Sequence, residues 1–229
     1  MAGVGSSPLW AVMVARVGPR AKSRLAAALE PDQRRQLALA MLADVLDVCA
    51  SSDAPFSGVV GVVDDPAALE LVERRGALSI ADDGADMNGA ATLGLRAAAA
   101  RGARTAIVLP GDIPLLRVAD LHALLEAAGG APRAIVVGAS RDGQGTNALL
   151  LRPLDVIGPT FGPPSVDRHL RLGQSAGAAT HVVHNLGLAL DVDTPQDLAA
   201  LADLPVGSHT ADALLRFSRH VLLGYSRLR

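Results

Sequence analysis

Lysine is almost absent from this chain, and cysteine and aromatic rings are scarce. The single Cys49 leaves no partner for an intrachain disulfide, so the fold must stand on its buried core. At 229 residues, 50% of them hydrophobic, an α/β core buries roughly 70% of the unfolded chain's surface, so neither disulfides nor a structural metal is needed. Aromatic side chains, 2% of the residues, are too few to build base-stacking platforms. Charge of one sign is also lacking: 21 Lys and Arg stand against 23 Asp and Glu, for a formal net charge of −2. Nucleic-acid binding rests on a basic stripe that neutralises phosphates, and none is expected here. The early apolar run from Leu9 to Ala15 falls far short of the ~20 residues that a membrane span needs, and no basic residue precedes it. No membrane association is expected, and the reading is of a cytoplasmic protein.

The missing motifs narrow the chemistry. A Walker-type phosphate loop needs Gly before its Lys, but Lys22, the only lysine, follows Ala21, which excludes that class. No Gly-x-Ser-x-Gly elbow is present and Cys49 falls in a helical pattern, so covalent nucleophilic catalysis has no carrier. His181 and His184 are spaced i, i+3, which in a strand points them to opposite faces and argues against a metal pair. Gly143-Gln144-Gly145-Thr146-Asn147-Ala148 matches a dinucleotide-type glycine pattern. It leads into an apolar strand and not a helix, so the required context fails. Such a loop can still cradle phosphate through backbone N–H groups and the Thr146 hydroxyl.

What is present reads as repeated βα units around a mostly parallel sheet. Strands are expected at 9–14, 58–63, 78–81, 105–109, 134–137, 147–151 and 188–192. Helices are expected at 31–49, 66–75, 88–101, 118–128 and 165–174. Asp65 should cap the second helix with Pro66 in its first turn, and Ser165 should cap the fifth. Thr194-Pro195-Gln196-Asp197 reads as a further helix start with a capping box. No repeat or low-complexity linker divides the chain, so residues 1–229 are read as one domain with a core of about 9–204. Residues 205–229 form a C-terminal helical extension that either docks or frays.

In an open parallel sheet, ligands bind beyond the carboxyl ends of the strands. Asp112 follows a central strand inside Pro110-Gly111-Asp112-Ile113-Pro114, and Asp191-Val192-Asp193 follows the late apolar run. If the two segments converge, their carboxylates repel unless a cation occupies the gap. Oxygen-only ligands with no His or Cys beside them suit Mg²⁺ or Mn²⁺ carrying a phosphate substrate. The plainer alternatives are that Asp112 supports a turn and Asp193 caps a helix. Asp191 has no such excuse, because an unpaired carboxylate inside an apolar strand is costly to bury. Codon bias accounts for Arg over Lys in general. The one ammonium retained, Lys22, suggests point-charge contact with phosphate, which a planar guanidinium performs poorly.

In order along the chain stand Ala21-Lys22-Ser23-Arg24-Leu25, Asp86-Met87-Asn88, Leu109-Pro110-Gly111-Asp112-Ile113-Pro114, Gly145-Thr146-Asn147-Ala148, Phe161-Gly162 with Ser165 and Arg168-His169, and Leu190-Asp191-Val192-Asp193-Thr194-Pro195 with Asp197-Leu198. Together they resemble the guanylyltransferase family of deazaflavin coenzyme F-420 biosynthesis, whose members act on 2-phospholactate or related phosphorylated acids. The resemblance implies a single-domain nucleotidyltransferase fold of the nucleotide-diphospho-sugar transferase-like kind. It implies that Asp112 and Asp191 hold Mg²⁺, that Thr146, Gly162 and Ser165 bind the phosphorylated acid, and that Asn88 lies near the nucleoside. Guanine preference comes from the resemblance alone. The Gly-rich, Arg-containing first loop of sugar-phosphate nucleotidylyltransferases and molybdopterin guanylyltransferases is missing, which favours this family over its relatives.

The expected partners are therefore GTP and a small phosphorylated acid. Phosphoenolpyruvate is favoured by the G+C-rich bias, with 2-phospho-L-lactate and 3-phosphoglycerate as the other choices. The expected catalytic set is Asp112 on the metal, with Lys22 and Arg24 neutralising the triphosphate and the departing pyrophosphate. A homodimer is compatible with the sequence and not demanded by it. Two other readings stand beside this one: a glycosyltransferase-like enzyme, since Asp191-Val192-Asp193 also matches a nucleotide-sugar metal motif, and a nucleotide-binding regulator without turnover.

Overall fold

The computed structural model describes residues 8–19, 21–201 and 204–226, with side chains described as far as residue 217. Its centre is β1 (Leu9–Ala15), β2 (Gly58–Val63), β3 (Leu78–Ala81) and β4 (Thr105–Pro110), followed by β5 (Ala134–Ala139), β6 (Thr146–Arg152) and β7 (Ala179–Val183). They form one seven-stranded sheet in the order β3-β2-β1-β4-β6-β5-β7. All neighbours are parallel except β6, which runs antiparallel to both β4 and β5. The helices are α1 (Pro31–Ala50), α2 (Pro66–Arg74), α3 (Met87–Ala99), α4 (Val118–Ala128), α5 (Ser165–Ser175), α6 (Leu186–Ala189), α7 (Pro195–Ala200) and α8 (Ser208–Ser226), and a 3₁₀ turn spans Ser23–Ala27.

Strand β1 shows why its sequence has no polar alternation. Ala11, Met13 and Ala15 pack with Leu42, Val45 and Leu46 of α1 and with residues of α2 and α4. Val12 and Val14 point the other way, against Ala91, Leu95 and Ala98 of α3. Both faces are covered, so every position is apolar. Cys49 lies in the first of these cores, and burial pushes its thiol up to about 12, so it behaves as a small hydrophobe. Among the described residues no helix is long and apolar enough to cross a membrane.

Most strand and helix expectations coincide with the structure to within two residues. The expected strand at 188–192 does not form. Residues 186–189 make the short α6, and the segment after it is irregular. Strand β6 already has β4 and β5 on its two sides, which leaves no edge there for another strand. The alternation of Leu188, Leu190 and Val192 that reads as a strand instead buries Leu188 against the sheet near Gly138 and Ala148, and Leu190 and Val192 in a separate cluster with Leu37 and Met41 of α1. The outer edge beyond β5 is occupied by β7, a strand not anticipated from the sequence.

Helix starts follow their capping chemistry. The Asp65 carboxylate accepts from the Ala67 and Ala68 amides and pairs with Arg35 at 2.8 Å. Burial pushes this carboxyl up, but Arg35 and the two amides outweigh it and hold the group below the usual range. Thr194 and Asp197 form the expected capping box on α7. The cap of α5 differs from expectation: it is Pro164, and Ser165 is the first helical residue.

The C-terminal helix α8 packs along α1, and Asp44 of α1 fixes its start. The buried Asp44 carboxylate accepts from the His209 amide at 3.0 Å and the Thr210 amide at 2.8 Å, the free donors of a helix N-terminus. A Cβ on Gly207 would fall 2.2 Å from Asp44 Cγ, so the chain closes directly onto this group. Asp44→Ala is expected to destabilise the protein by about 1–3 kcal/mol, because the buried Thr210 N–H and the part-buried His209 N–H lose their acceptor. Urea unfolding measures this, and an unchanged midpoint would show that α8 docks on apolar contacts alone.

Candidate functional site

Three segments meet at the carboxyl end of β1 and β4. Because β6 is antiparallel, its first residues, Thr146 and Asn147, lie at this same edge. After β4 the chain turns at Gly111, where a Cβ would stand 2.5 Å from the Ala15 Cβ. That close approach lays Asp112 against the end of β1. The segment carrying Asp191 follows α6 and is tied there by the Val192 amide donating to the Asp112 carbonyl at 3.2 Å. After β1, the Asp64 carboxylate accepts from the Val17 and Gly18 amides at 2.7 and 3.1 Å. The loop then delivers Lys22 with φ 52°, a left-handed conformation that costs a side-chain-bearing residue about 1–2 kcal/mol.

Lys22 Nζ donates to Asp112 and, at 2.9 Å, to Asp193. Its side chain is 6% exposed. Burial alone would lower the Lys22 pKa, but Asp112 and Asp193 outweigh it and raise it, so the ammonium stays charged. Arg24 extends the pair outward, 3.6 Å from Asp193, and is itself 74% exposed. Asp193 thus holds cations, while Thr194 caps α7. Asp112 Oδ1 is buried with no hydrogen-bond partner. Asp191 is half-buried, and burial first, then the nearby Asp112 charge, raises its carboxyl above the ordinary range, against a 3.1 Å hydrogen bond from Asn147. Asp112 and Asp191 therefore interact as like charges.

Two hollows flank this cluster and share Asp112 and Asp193. One, of about 250 Å³, lies on the β1 side and is lined by Val14, Arg16 and Lys22. The other, of about 530 Å³, lies toward β6 and contains Arg141, Thr146, Asn147, Gly162 and Asp191. Among the described residues no three His, Cys, Asp or Glu side chains are gathered closely enough to hold an ion. The oxygen-only pair of Asp112 and Asp191 is what remains. A hard cation such as Mg²⁺ fits it, since Mg²⁺ characteristically takes one or two carboxylates and completes its shell with water and substrate phosphate. The unpartnered Asp112 oxygen and the raised Asp191 carboxyl are both features that a bound cation relieves.

The far wall is a buried polar network. Thr146 Oγ1 lies 3.1 Å from His169 Nδ1 and accepts from Ser165 Oγ at 2.9 Å. Gly162, with φ +94°, lines the cleft, and Arg168 pins its loop by donating to the Thr160, Phe161 and Gly162 carbonyls. Asn88 uses both ends of its amide on Phe161: its oxygen accepts from the Phe161 N–H at 2.6 Å, and its nitrogen lies 3.4 Å from the Phe161 carbonyl. Asn88 thereby anchors the Gly162 loop to α3. The amides of Gly143, Gln144 and Gly145 are engaged within their own loop by Ser140 and Asp142, so the expected backbone cradle is already filled. Sequence reasoning missed Arg141, which lines the cleft, is 61% exposed and is steered by Asp197 at 2.9 Å. Its place two residues past the end of β5 was the available signal. It also gave His169 no role, since nothing in the spacing ties it to Thr146.

An open, mostly parallel sheet with an acidic cluster and a buried cation between two hollows at its carboxyl edge defines a nucleotidyltransferase of the nucleotide-diphospho-sugar transferase-like class. The fold is that of a solved structure from Desulfovibrio desulfuricans described as a nucleotide-diphospho-sugar transferase: TM-score 0.73, 17% identity, 95% of this chain and 97% of the other covered. The family model described as "Guanylyl transferase CofC like" matches residues 11–221, and the chain belongs to that family. It is 39% identical over 194 residues to the phosphoenolpyruvate guanylyltransferase of Sphaerobacter thermophilus, spanning 84% of this chain and 92% of the relative. It is 39% identical over 207 residues to the 3-phospho-D-glycerate guanylyltransferase of Phenylobacterium zucineum, spanning 89% and 94%. The protein is thus an enzyme, a guanylyl-transferring nucleotidyltransferase, and the glycosyltransferase and regulator readings fall away.

Proposed function

We propose that this enzyme transfers GMP from GTP to the phosphate of phosphoenolpyruvate, releasing pyrophosphate, in coenzyme F-420 biosynthesis. The observation that carries the reading is the pair of hollows sharing Asp112 and Asp193, one for the nucleotide and one for the acid, with the reacting phosphates meeting between them. The acceptor's phosphate oxygen attacks the α-phosphorus in line. A new P–O bond forms while the bond from the α-phosphorus to the pyrophosphate bridging oxygen breaks, and its electron pair leaves with pyrophosphate.

The acceptor phosphate is already ionised at neutral pH, so no general base is needed. No histidine lines either hollow among the described residues, which agrees with that. Catalysis then rests on positioning and charge neutralisation. Asp112 and Asp191 would hold Mg²⁺ or Mn²⁺, which supplies charge neutralisation on the transferring phosphate. Lys22, on the β1-side hollow, and Arg24, which lines the β6-side hollow beside Asp193, neutralise the triphosphate and the departing pyrophosphate. Thr146 and Gly162 line the acid side, the wholly buried Ser165 acts on it through its hydrogen bond to Thr146, and Asn88 acts through the Gly162 loop. The exposed Arg141 faces the same hollow and suits the acceptor's carboxylate. GTP and a small phosphorylated acid as substrates support a cytoplasmic reaction.

The test is to incubate the enzyme with GTP, Mg²⁺ and, in parallel, phosphoenolpyruvate, 2-phospho-L-lactate or 3-phosphoglycerate. Pyrophosphate release and the mass of the product are followed. Fastest release with phosphoenolpyruvate, together with its GMP adduct, is expected. A faster reaction with either other acid overturns the acceptor assignment, and no release with any of the three overturns the reaction.

A further inference from the structure

The hydrogen-bond network behind the acid side has one feature that the proposed reaction does not require: a fully buried histidine whose proton position is dictated by its neighbours. The Thr160 backbone N–H donates to His169 Nε2 at 2.9 Å. A ring nitrogen that accepts carries no proton. His169 is wholly buried, and burial, with Arg168 beside it, pushes its pKa down to about 4, so the ring is neutral near pH 7. The one remaining proton sits on Nδ1, and Nδ1 faces Thr146 Oγ1 at 3.1 Å.

Counting protons gives the consequence. The Thr146 and Ser165 hydroxyls are 2.9 Å apart and both buried. Two hydroxyls bring two protons, but they share a single mutual hydrogen bond. Because His169 gives a proton to Thr146, neither hydroxyl can spend its own on the ring, and one O–H is left over. Ser165 is wholly buried and its hydroxyl has no other acceptor among the described residues, so its proton goes to Thr146; the spare proton belongs to Thr146, which lines the larger hollow. With the opposite tautomer, Nδ1 would take the Thr146 proton, and the wall would offer lone pairs to an incoming anion.

We propose that His169 is a positioning residue which, as its Nδ1–H tautomer, makes the Thr146 hydroxyl an obligate donor to the anionic acid in the cleft. This rests on the assignment of the β6-side hollow to the acid. It assigns His169 a task distinct from acid–base catalysis: it never exchanges a proton with substrate and acts only through Thr146. The Phe161 ring, edge-on to His169 with centroids 5.5 Å apart, and the Thr160 amide hold the imidazole in the one orientation that does this.

The experiment has two parts. Ring-nitrogen chemical shifts of isotopically labelled, substrate-free enzyme at neutral pH, with the His169 signals assigned by their loss in His169→Gln, read the tautomer directly. A protonated Nδ1 and a bare Nε2 are expected; a protonated Nε2 or an imidazolium overturns the proposal. Because this needs no turnover, it stands apart from any failure of the acceptor assignment. The second part compares two variants. His169→Gln places an acceptor near Nε2 and no donor at Nδ1, whereas His169→Asn restores a donor near Nδ1. His169→Gln should raise the KM for the acid about tenfold, leave the KM for GTP within about twofold, and be partly rescued in His169→Asn. Equal changes in both KM values, or no change in either, overturn it.

Discussion

Asp112→Asn and Asp191→Asn are each expected to lower kcat by about 10²–10³-fold, ~3–4 kcal/mol in the barrier, with the fold intact. Each change removes one of the two anionic oxygen donors available to a cation without altering side-chain shape. Asp191→Asn is the cleaner of the two. Its replacement can still accept the Asn147 hydrogen bond, and one like charge near Asp112 disappears. The sign of the stability effect follows. The Asp191 carboxyl is raised in the folded state, so its ionised form opposes folding once pH exceeds the unfolded value. Asp191→Asn should therefore melt no lower than the parent at neutral pH without metal. Steady-state kinetics beside thermal melts checks both halves. Near-normal turnover in either variant would refute the metal assignment, and a large fall in melting temperature would make the residue structural.

Lys22→Ala is expected to lower kcat/KM for GTP by about 10²-fold, close to 3 kcal/mol, with a smaller effect on the KM for the acid. Lys22 supplies the compact buried charge of the site. It is also the counter-ion of Asp112 and Asp193, so it and a divalent cation compete for the same carboxylate. Removing it should free that carboxylate for metal. The variant's melting temperature should then rise more steeply with added Mg²⁺ than the parent's does. A kinetic defect with the stronger Mg²⁺ response supports the role. A marked loss of stability that Mg²⁺ does not restore, with normal GTP kinetics, would make Lys22 a structural strut.

Some parts of this protein are written in short-range patterns and others are not. Strands β1 and β4 read clearly because both faces are covered, and Asp65-Pro66 and Thr194-Pro195 announce helix starts with local chemistry. Leu188, Leu190 and Val192 alternate as a strand does, and only the occupancy of both sides of β6 shows that no strand can form. Strand β7 was missed for the converse reason: as a half-exposed edge it carries polar Thr180 and His181 and lacks a continuous apolar run. Asp112 and Asp191 stood out because a carboxylate past a strand end or within an apolar run needs a reason. The clasp of Lys22 between Asp112 and Asp193 joins residues 90 and 171 positions apart, and the Thr146, Ser165 and His169 network joins β6 to α5. No spacing rule connects such pairs, because their geometry is set by the sheet order. The same limit put the cap of α5 on Ser165, whose hydroxyl is drawn across to Thr146.

The account depends most on a cation held between Asp112 and Asp191. Anomalous diffraction from a crystal of the enzyme grown with Mn²⁺ and a non-hydrolysable GTP analogue tests it directly. A manganese peak bridging these two carboxylates and the nucleotide phosphates is the expected result. An ordered nucleotide in the β1-side hollow with no anomalous peak at Asp112 and Asp191 would contradict it.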